Sequence, residues 1–385
     1  MPAPHNPLFL LTGLWGVASP LVWLWPGLVA DPVFWHLHEF FFGMAAAAIG
    51  GYLLIAAPHW TGRRIGRPAL WLLILAWLAG RGAEILLWPN IVVARGFAAS
   101  YPILLAGLLL RPLLRARAWP KLWMAAVPMA IALADLAVLG ARQHGTLSPN
   151  APLCLTLGFA GLIGFVGGRI VPAFTNSRIN LITPTVQLPA RTTAGRLAAA
   201  AVGLAVPCVI TDIAQVLAGA LLCFAALLQA IRFARWQTRA IMTQTDILML
   251  HMAWAWLTVG LGLVGVALIW PQEFSLTAYL HALTTGAMGS MIFAIAARPF
   301  MPRLSGRVVA TADLSVAFAL LTVATALRIF APDTEVMRVS GLQGAAILWV
   351  CAWALFVLRI LRYWHNPAPF PILSADLGRK SGALR

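Results

Sequence analysis

The chain has 385 residues, of which 61% are apolar and only 10% charged, and its formal net charge is +16. So few charges exclude a water-soluble globular protein, which could not cover its surface with them. The positive balance does not point to nucleic acid either, because the basic residues lie in short loops between apolar blocks, as membrane topology requires.

The apolar blocks run for about 17–25 residues, the length that crosses about 30 Å of hydrocarbon. An outer-membrane barrel would alternate instead in segments of about ten. The expected fold is all-α: a polytopic membrane helical bundle, one integral-membrane domain over 1–385. Twelve transmembrane helices are predicted, over 8–29, 35–57, 69–88, 92–114, 122–139, 152–174, 196–212, 213–233, 246–270, 277–297, 308–330 and 342–364. Pro20 and Pro26 soften the first. The stretch from Arg196 to Phe233 is too long for one span, and Pro207 with the polar pair Thr211-Asp212 divides it.

The loops alternate in charge. One set carries Arg63, Arg64 and Arg67; Arg111, Arg115, Arg117 and Lys121; Arg178, Arg191 and Arg196; Arg232, Arg235 and Arg239; and Arg298, Arg303 and Arg307. The C-terminal Arg359, Arg362, Arg379, Lys380 and Arg385 fall on the same side, whereas Arg95, Arg142, Arg328 and Arg338 fall on the other. The basic side is cytoplasmic, which puts both termini in the cytoplasm. The start, MPAPHNP, lacks the charged n-region and cleavage site of a removable signal peptide. Trp35, Trp60, Trp88, Trp119, Trp270 and Trp364 mark span ends as an interfacial aromatic belt. Cys154, Cys208, Cys223 and Cys351 form no CxxC or CxxCH and read as small buried hydrophobes. No P-loop, dinucleotide fingerprint or nucleophile elbow is present.

Topology turns sequence position into depth. His36, His38 and His281 fall near the outer face, and His59 and His251 near the cytoplasmic face. Imidazole is the commonest side-chain metal ligand, and ionisable groups at membrane depth are functional candidates. His36 and His38 point about 200° apart on a regular helix, so they address different partners unless the helix begins after His36. His38 and His281 are each followed by glycine in the pattern His-x4-Gly (Gly43 and Gly286), which admits another helix or a flat macrocycle. Arg81 reads as the partner of Glu84 or of a haem propionate, Asp135 as a partner of Arg81 or a proton carrier, and Arg169 as a snorkelling cation.

The segments WHLHEFFFGMAAAAIGGYLLIAAPHWTGR, WLAGR, GGRIVPAFT, LHMAWAWL and HALTTGAMG resemble the NnrS family of bacterial membrane proteins, in family order and over most of residues 35–307. The resemblance implies a twelve-helix protein of the cytoplasmic membrane that contains haem and copper. It implies a role in the response to nitric oxide and nitrosative stress during denitrification. It makes His36, His38, His251 and His281 the motif histidines, with Glu39 beside them. His59 stands where the family more often has Asn, and the loop from Arg298 to Arg307 lacks a histidine that many members carry.

The expected function is therefore a haem b protein, with copper as a second candidate metal, that binds nitric oxide and disposes of it as a nitric oxide reductase-like oxidoreductase. A quinol or a cytochrome would supply electrons. His281 with His36 or His38 would hold an outer centre, Glu39 would deliver protons, His251 would serve an inner haem, His59 is a further candidate ligand, and Arg81 would bind a haem propionate. Two other readings are kept: sequestration of nitric oxide, haem or copper without turnover, and transport of a small solute. Spans two, six and ten each end near a proline (Pro58, Pro172, Pro299), which suits a repeated unit such as transporters use.

Overall fold

The structure is a computed structural model. It describes residues 3–365 apart from 26, 64, 87–90, 181–186, 212–213, 305–306 and 337–338, with backbone only at 84–86, 91–92 and 336. The Glu84 side chain, Arg64, Trp88, Asp212, Arg338, Arg379, Lys380 and Arg385 lie outside the described residues.

The chain opens with α1 (Asn6–Ala18), which tightens into a 3-10 turn over Ser19–Trp23 where Pro20 removes a helical donor. The next span is continuous but not uniform. It comprises α2 (Pro32–His38), a π-helix (Glu39–Ala45), α3 (Ala46–Ala56) and α4 (Pro58–Thr61), and it stops at Gly62 in the left-handed conformation. There follow α5 (Arg67–Leu86), α6 (Ile91–Arg115), α7 (Trp123–Gln143) and α8 (Ala151–Ile179). Then come α9 (Thr193–Ile210), α10 (Gln215–Ala234) and α11 (Thr245–Ile269). The tenth span is again composite: α12 (Leu276–His281), a second π-helix (Ala282–Gly289) and α13 (Ser290–Ala297). The last two helices are α14 (Ala312–Phe330) and α15 (Gly341–Arg362). Two short hairpins, Arg303–Leu304 with Arg307–Val308 and Glu335–Val336 with Val339–Ser340, flank α14.

Each predicted block contains a helix with ends of its own: α1 stops at Ala18, α8 runs on to Ile179, and α9 continues through Pro207 to end at Ile210, before α10 begins at Gln215. Among the described residues, ten helical segments are long and apolar enough to cross a membrane, so the molecule is a multi-pass helical membrane protein. α1 ends too early to count among them, and α5, which carries Arg67, Arg81 and Glu84, is also outside the ten. Large apolar side chains face outward, among them Trp71, Leu133, Leu204, Ile210 and Leu358, as lipid-facing surfaces require. Trp119 and Trp270 are half exposed or more, in keeping with the interfacial belt. The cysteines form no disulfide and are half-buried or exposed rather than buried: Cys351 is exposed, whereas Cys223 lies in the contact of α10 with α11, its Sγ 3.9 Å from the Gly262 carbonyl oxygen.

Among the described residues the helices gather into two compact units, one reaching to residue 151 and joined by 360–365, the other spanning 152–359. In the first, α1 lies along α3, and Phe9 rests on the bare backbone of Gly51, where an added Cβ would meet the ring at 2.5 Å. His5 is buried at the start of α1 against Phe9, and burial lowers its pKa to about 4. In the second unit, α10 and α11 meet at Gly219 and Gly265, the small-residue contact that membrane helices use.

Two outcomes follow from this packing. A Cβ at Gly265 would lie 2.7 Å from the Gly219 carbonyl oxygen, whereas one at Gly262 would meet Ala226 at an ordinary 3.6 Å. Gly265→Ala should cost about 1–3 kcal/mol in thermal unfolding of the detergent-solubilised protein, with Gly262→Ala near neutral. His5 takes up a proton less readily folded than unfolded. Its contribution is complete above the unfolded pKa of about 6.5 and is lost as pH falls toward about 4. His5→Phe should flatten the dependence of the unfolding midpoint on pH across that window.

Candidate functional site

Asp31 starts α2: its Oδ1 accepts from the Phe34 N–H at 3.0 Å, and Pro32 takes the first helical position. Burial pushes the Asp31 carboxyl up. The Phe34 amide and the Arg142 guanidinium outweigh that and hold it below the usual carboxylate range. Because the helix begins before His36, both motif histidines sit on regular turns and look in different directions. His36 is half-buried beside Phe40, and its Nδ1 accepts from Trp23 Nε1 at 3.1 Å.

His38 is fully buried and central to a charged cluster. Its Nε2 lies 2.7 Å from Asp135 Oδ1, and its Nδ1 lies 3.2 Å from Glu39 Oε1 and 3.4 Å from Arg81 Nη1. Arg81 Nη1 also donates to Glu39 Oε1 at 2.8 Å, and Trp15 Nε1 donates to Glu39 Oε2. Arg81, Glu39 and Asp135 are all at most 4% exposed. The carboxylate of Asp135 directs the imidazole proton to Nε2. Nδ1 then has an acceptor in Glu39 when protonated and a donor in Arg81 when not, so it is satisfied in either state. Arg81 therefore pairs with Glu39 of the second span.

Directly after His38 the helix widens to the π form, a geometry frequent at functional sites. Gly43 lies at its centre. A Cβ there would fall 2.6 Å from the Trp15 indole, and Trp77 Nε1 donates to the Gly43 carbonyl at 3.0 Å. The second unit repeats the device. His281 ends α12, the π-helix follows, and a Cβ at Gly286 would fall 2.9 Å from the indole of Trp256. Thr284 and Thr285 turn their hydroxyls onto the carbonyls of Leu280 and His281, competing with the backbone ladder where it loosens. Indoles thus occupy the glycine faces expected to admit a helix or a macrocycle.

The other histidines differ in what their nitrogens meet. His281 is half-buried, and its Nδ1 donates to the Thr277 carbonyl at 2.8 Å, which keeps the lone pair on Nε2. That is the arrangement of a metal-ligating imidazole. His251 is fully buried on α11. Thr175 Oγ1 gives its proton to the Val171 carbonyl, so it accepts from His251 Nε2 at 2.8 Å, and the Thr238 hydroxyl lies 3.0 Å from Nδ1. Both of its nitrogens are thereby engaged. His59 is exposed in α4. Arg169 stacks on Phe165 at 3.8 Å. Among the described residues, no three of His, Cys, Asp and Glu converge as a metal-binding set.

The sequence reading did not anticipate Trp15, Trp23, Thr175 or Thr238, because a tryptophan or threonine in an apolar run carries no positional signal of its own. It also read Arg178 and Arg298 as loop cations. Both are buried, and both face Asp246 at the start of α11. The common inner level of these three residues was the available clue.

Arg81→Met would leave Glu39 as a buried carboxylate without its cation. It should lower stability by about 3–5 kcal/mol, read as a fall in the thermal midpoint, whereas Arg169→Met should change it little.

The comparison with curated proteins finds no match. The model of one family, described as NnrS protein, matches residues 1–367. With nearly the whole length matched and the motif histidines, Glu39 and the paired His-x4-Gly segments in place, the chain belongs to the NnrS family, whose members have a role in the response to nitric oxide.

Proposed function

We propose that this protein is a haem b protein of the bacterial cytoplasmic membrane that binds nitric oxide and reduces it to nitrous oxide, with electrons from a quinol or a cytochrome. The reaction is 2 NO + 2 electrons + 2 protons giving N2O + H2O. The observation that carries the reductive reading is the His38 cluster, since turnover consumes protons and simple sequestration does not. The imidazole of His38 can pass a proton between Glu39 Oε1 on Nδ1 and Asp135 Oδ1 on Nε2, and Arg81 steadies the deprotonated ring. Trp15 and Arg81 orient the Glu39 carboxylate.

Haem, when bound, would supply an iron with an open position for nitric oxide. The donor chemistry of His281 fits it as a residue that would hold the haem through Nε2. His36 would have to give up its Trp23 bond, and His251 one of its threonine bonds, before either could ligate. Copper is not assigned a site from the described residues. Burial of the relay away from water keeps protons on the side-chain route.

The test is anaerobic incubation of purified protein with nitric oxide and a reduced quinol or cytochrome. Turnover to nitrous oxide is expected, and Asp135→Asn should slow it about 100-fold at unchanged haem content. His281→Ala should lose the haem absorption bands, whereas His251→Ala should keep them. Purified protein with no haem, or stoichiometric nitric oxide binding without nitrous oxide, would refute the reductase.

A further inference from the structure

The second unit holds a buried excess of positive charge that the proposed reaction does not use. Arg298 is wholly buried at the end of α13. Its Nη1 reaches Asp246 Oδ2 only at 3.5 Å, and its Nε and Nη2 are buried without a hydrogen-bond partner. Asp246 is already held by Arg178, whose Nη2 donates to Oδ2 at 2.9 Å while Nη1 donates to Gln244 Oε1 at 2.8 Å. Arg303, on the loop beyond α13, adds a further cation acting on Arg298. One buried carboxylate, Asp246, therefore faces two guanidinium groups. Phe174 covers one face of Arg298 at 4.2 Å, which leaves the Nε–Nη2 edge as its hydrogen-bonding side.

A buried, uncompensated guanidinium is costly. The Nε–Nη2 edge presents two parallel N–H donors, the fork that matches two oxygens of a carboxylate or phosphate. We infer that the Nε–Nη2 edge of Arg298, flanked by Arg178, is the binding site of an oxyanion at the end of the second unit where α8 finishes and α11 begins. The oxyanion is a phosphate group, taken up either as free phosphate or as the headgroup of a lipid. It supplies the charge that Asp246 alone does not, and it ties the end of α13 to the start of α11.

The experiment follows thermal unfolding of the full-length protein, delipidated in a sugar detergent, at constant ionic strength set with chloride. Inorganic phosphate is titrated in one arm and phosphatidylglycerol in the other. A saturable rise of the midpoint with phosphate identifies the free anion. A rise with phosphatidylglycerol alone, with lipid retained in native mass spectrometry, identifies the headgroup. Arg298→Gln should abolish the rise. Arg298→Lys keeps the charge but not the fork, and should weaken binding about tenfold or more. If Arg298→Gln does not fold, the lysine variant decides alone. No saturable rise in either arm, or wild-type affinity in Arg298→Lys, would overturn the site.

Discussion

The ion pair between Arg81 and Glu39, buried with His38 and Asp135, sets the conditions for the first unit. Lipid tails are as apolar as leucine, so apolar burial gives membrane helices little reason to choose one register over another. A carboxylate out of water does have a strong preference, because sliding it by one helical turn leaves a charge without a partner. The cluster takes one group from each of α1, α5 and α7 and two from the second span, namely Trp15, Arg81, Asp135, and His38 with Glu39. It therefore fixes the height of all four against one another. Around it, glycines let Phe9 and Trp15 lie directly on backbone, so the apolar contacts are close only in the register that the charges select.

The second unit treats its buried histidine differently. His251 meets hydroxyls rather than carboxylates, and Thr175 spends its proton on its own helix. The Nε2 proton is thereby directed to Thr175, and Nδ1 faces a hydroxyl that can donate or accept. The contrast between an imidazole among acids and an imidazole among alcohols gives two residues of one type different chemistry.

Much of this was legible in advance. Charge alternation placed His38, Arg81 and Asp135 at one level, and apolar block length marked where helices lie but not where they end, since α1 stops at Ala18 and α8 runs to Ile179. Pairing was not legible, because Glu84 offered Arg81 a nearer partner one turn away, and depth alone cannot say which helices are neighbours. The π-helices were hidden for a different reason. An extra residue in a turn shows as a jump in the phase of a polar face, and Phe40 to Ala48 has no polar face to jump. Arg178 lay hidden because α8 continues past Phe174 to Ile179, carrying into the helix a cation that the loop count had taken.

The π-helix after His38 has a bearing on how this gene can vary. Each residue advances an α-helix by about 100°, and the wider π turn holds one residue more, so these seven residues turn about as far as six would in a regular helix. A one-residue deletion between Glu39 and Ala45 that restored a regular helix would therefore leave the end bearing His38 and Glu39 and the Gly50–Gly51 face in nearly the same relation. A deletion within α3, before Gly50, would instead turn the two apart by about 100°. The span should accept a change in length within the π segment far more readily than in the regular turns that follow it.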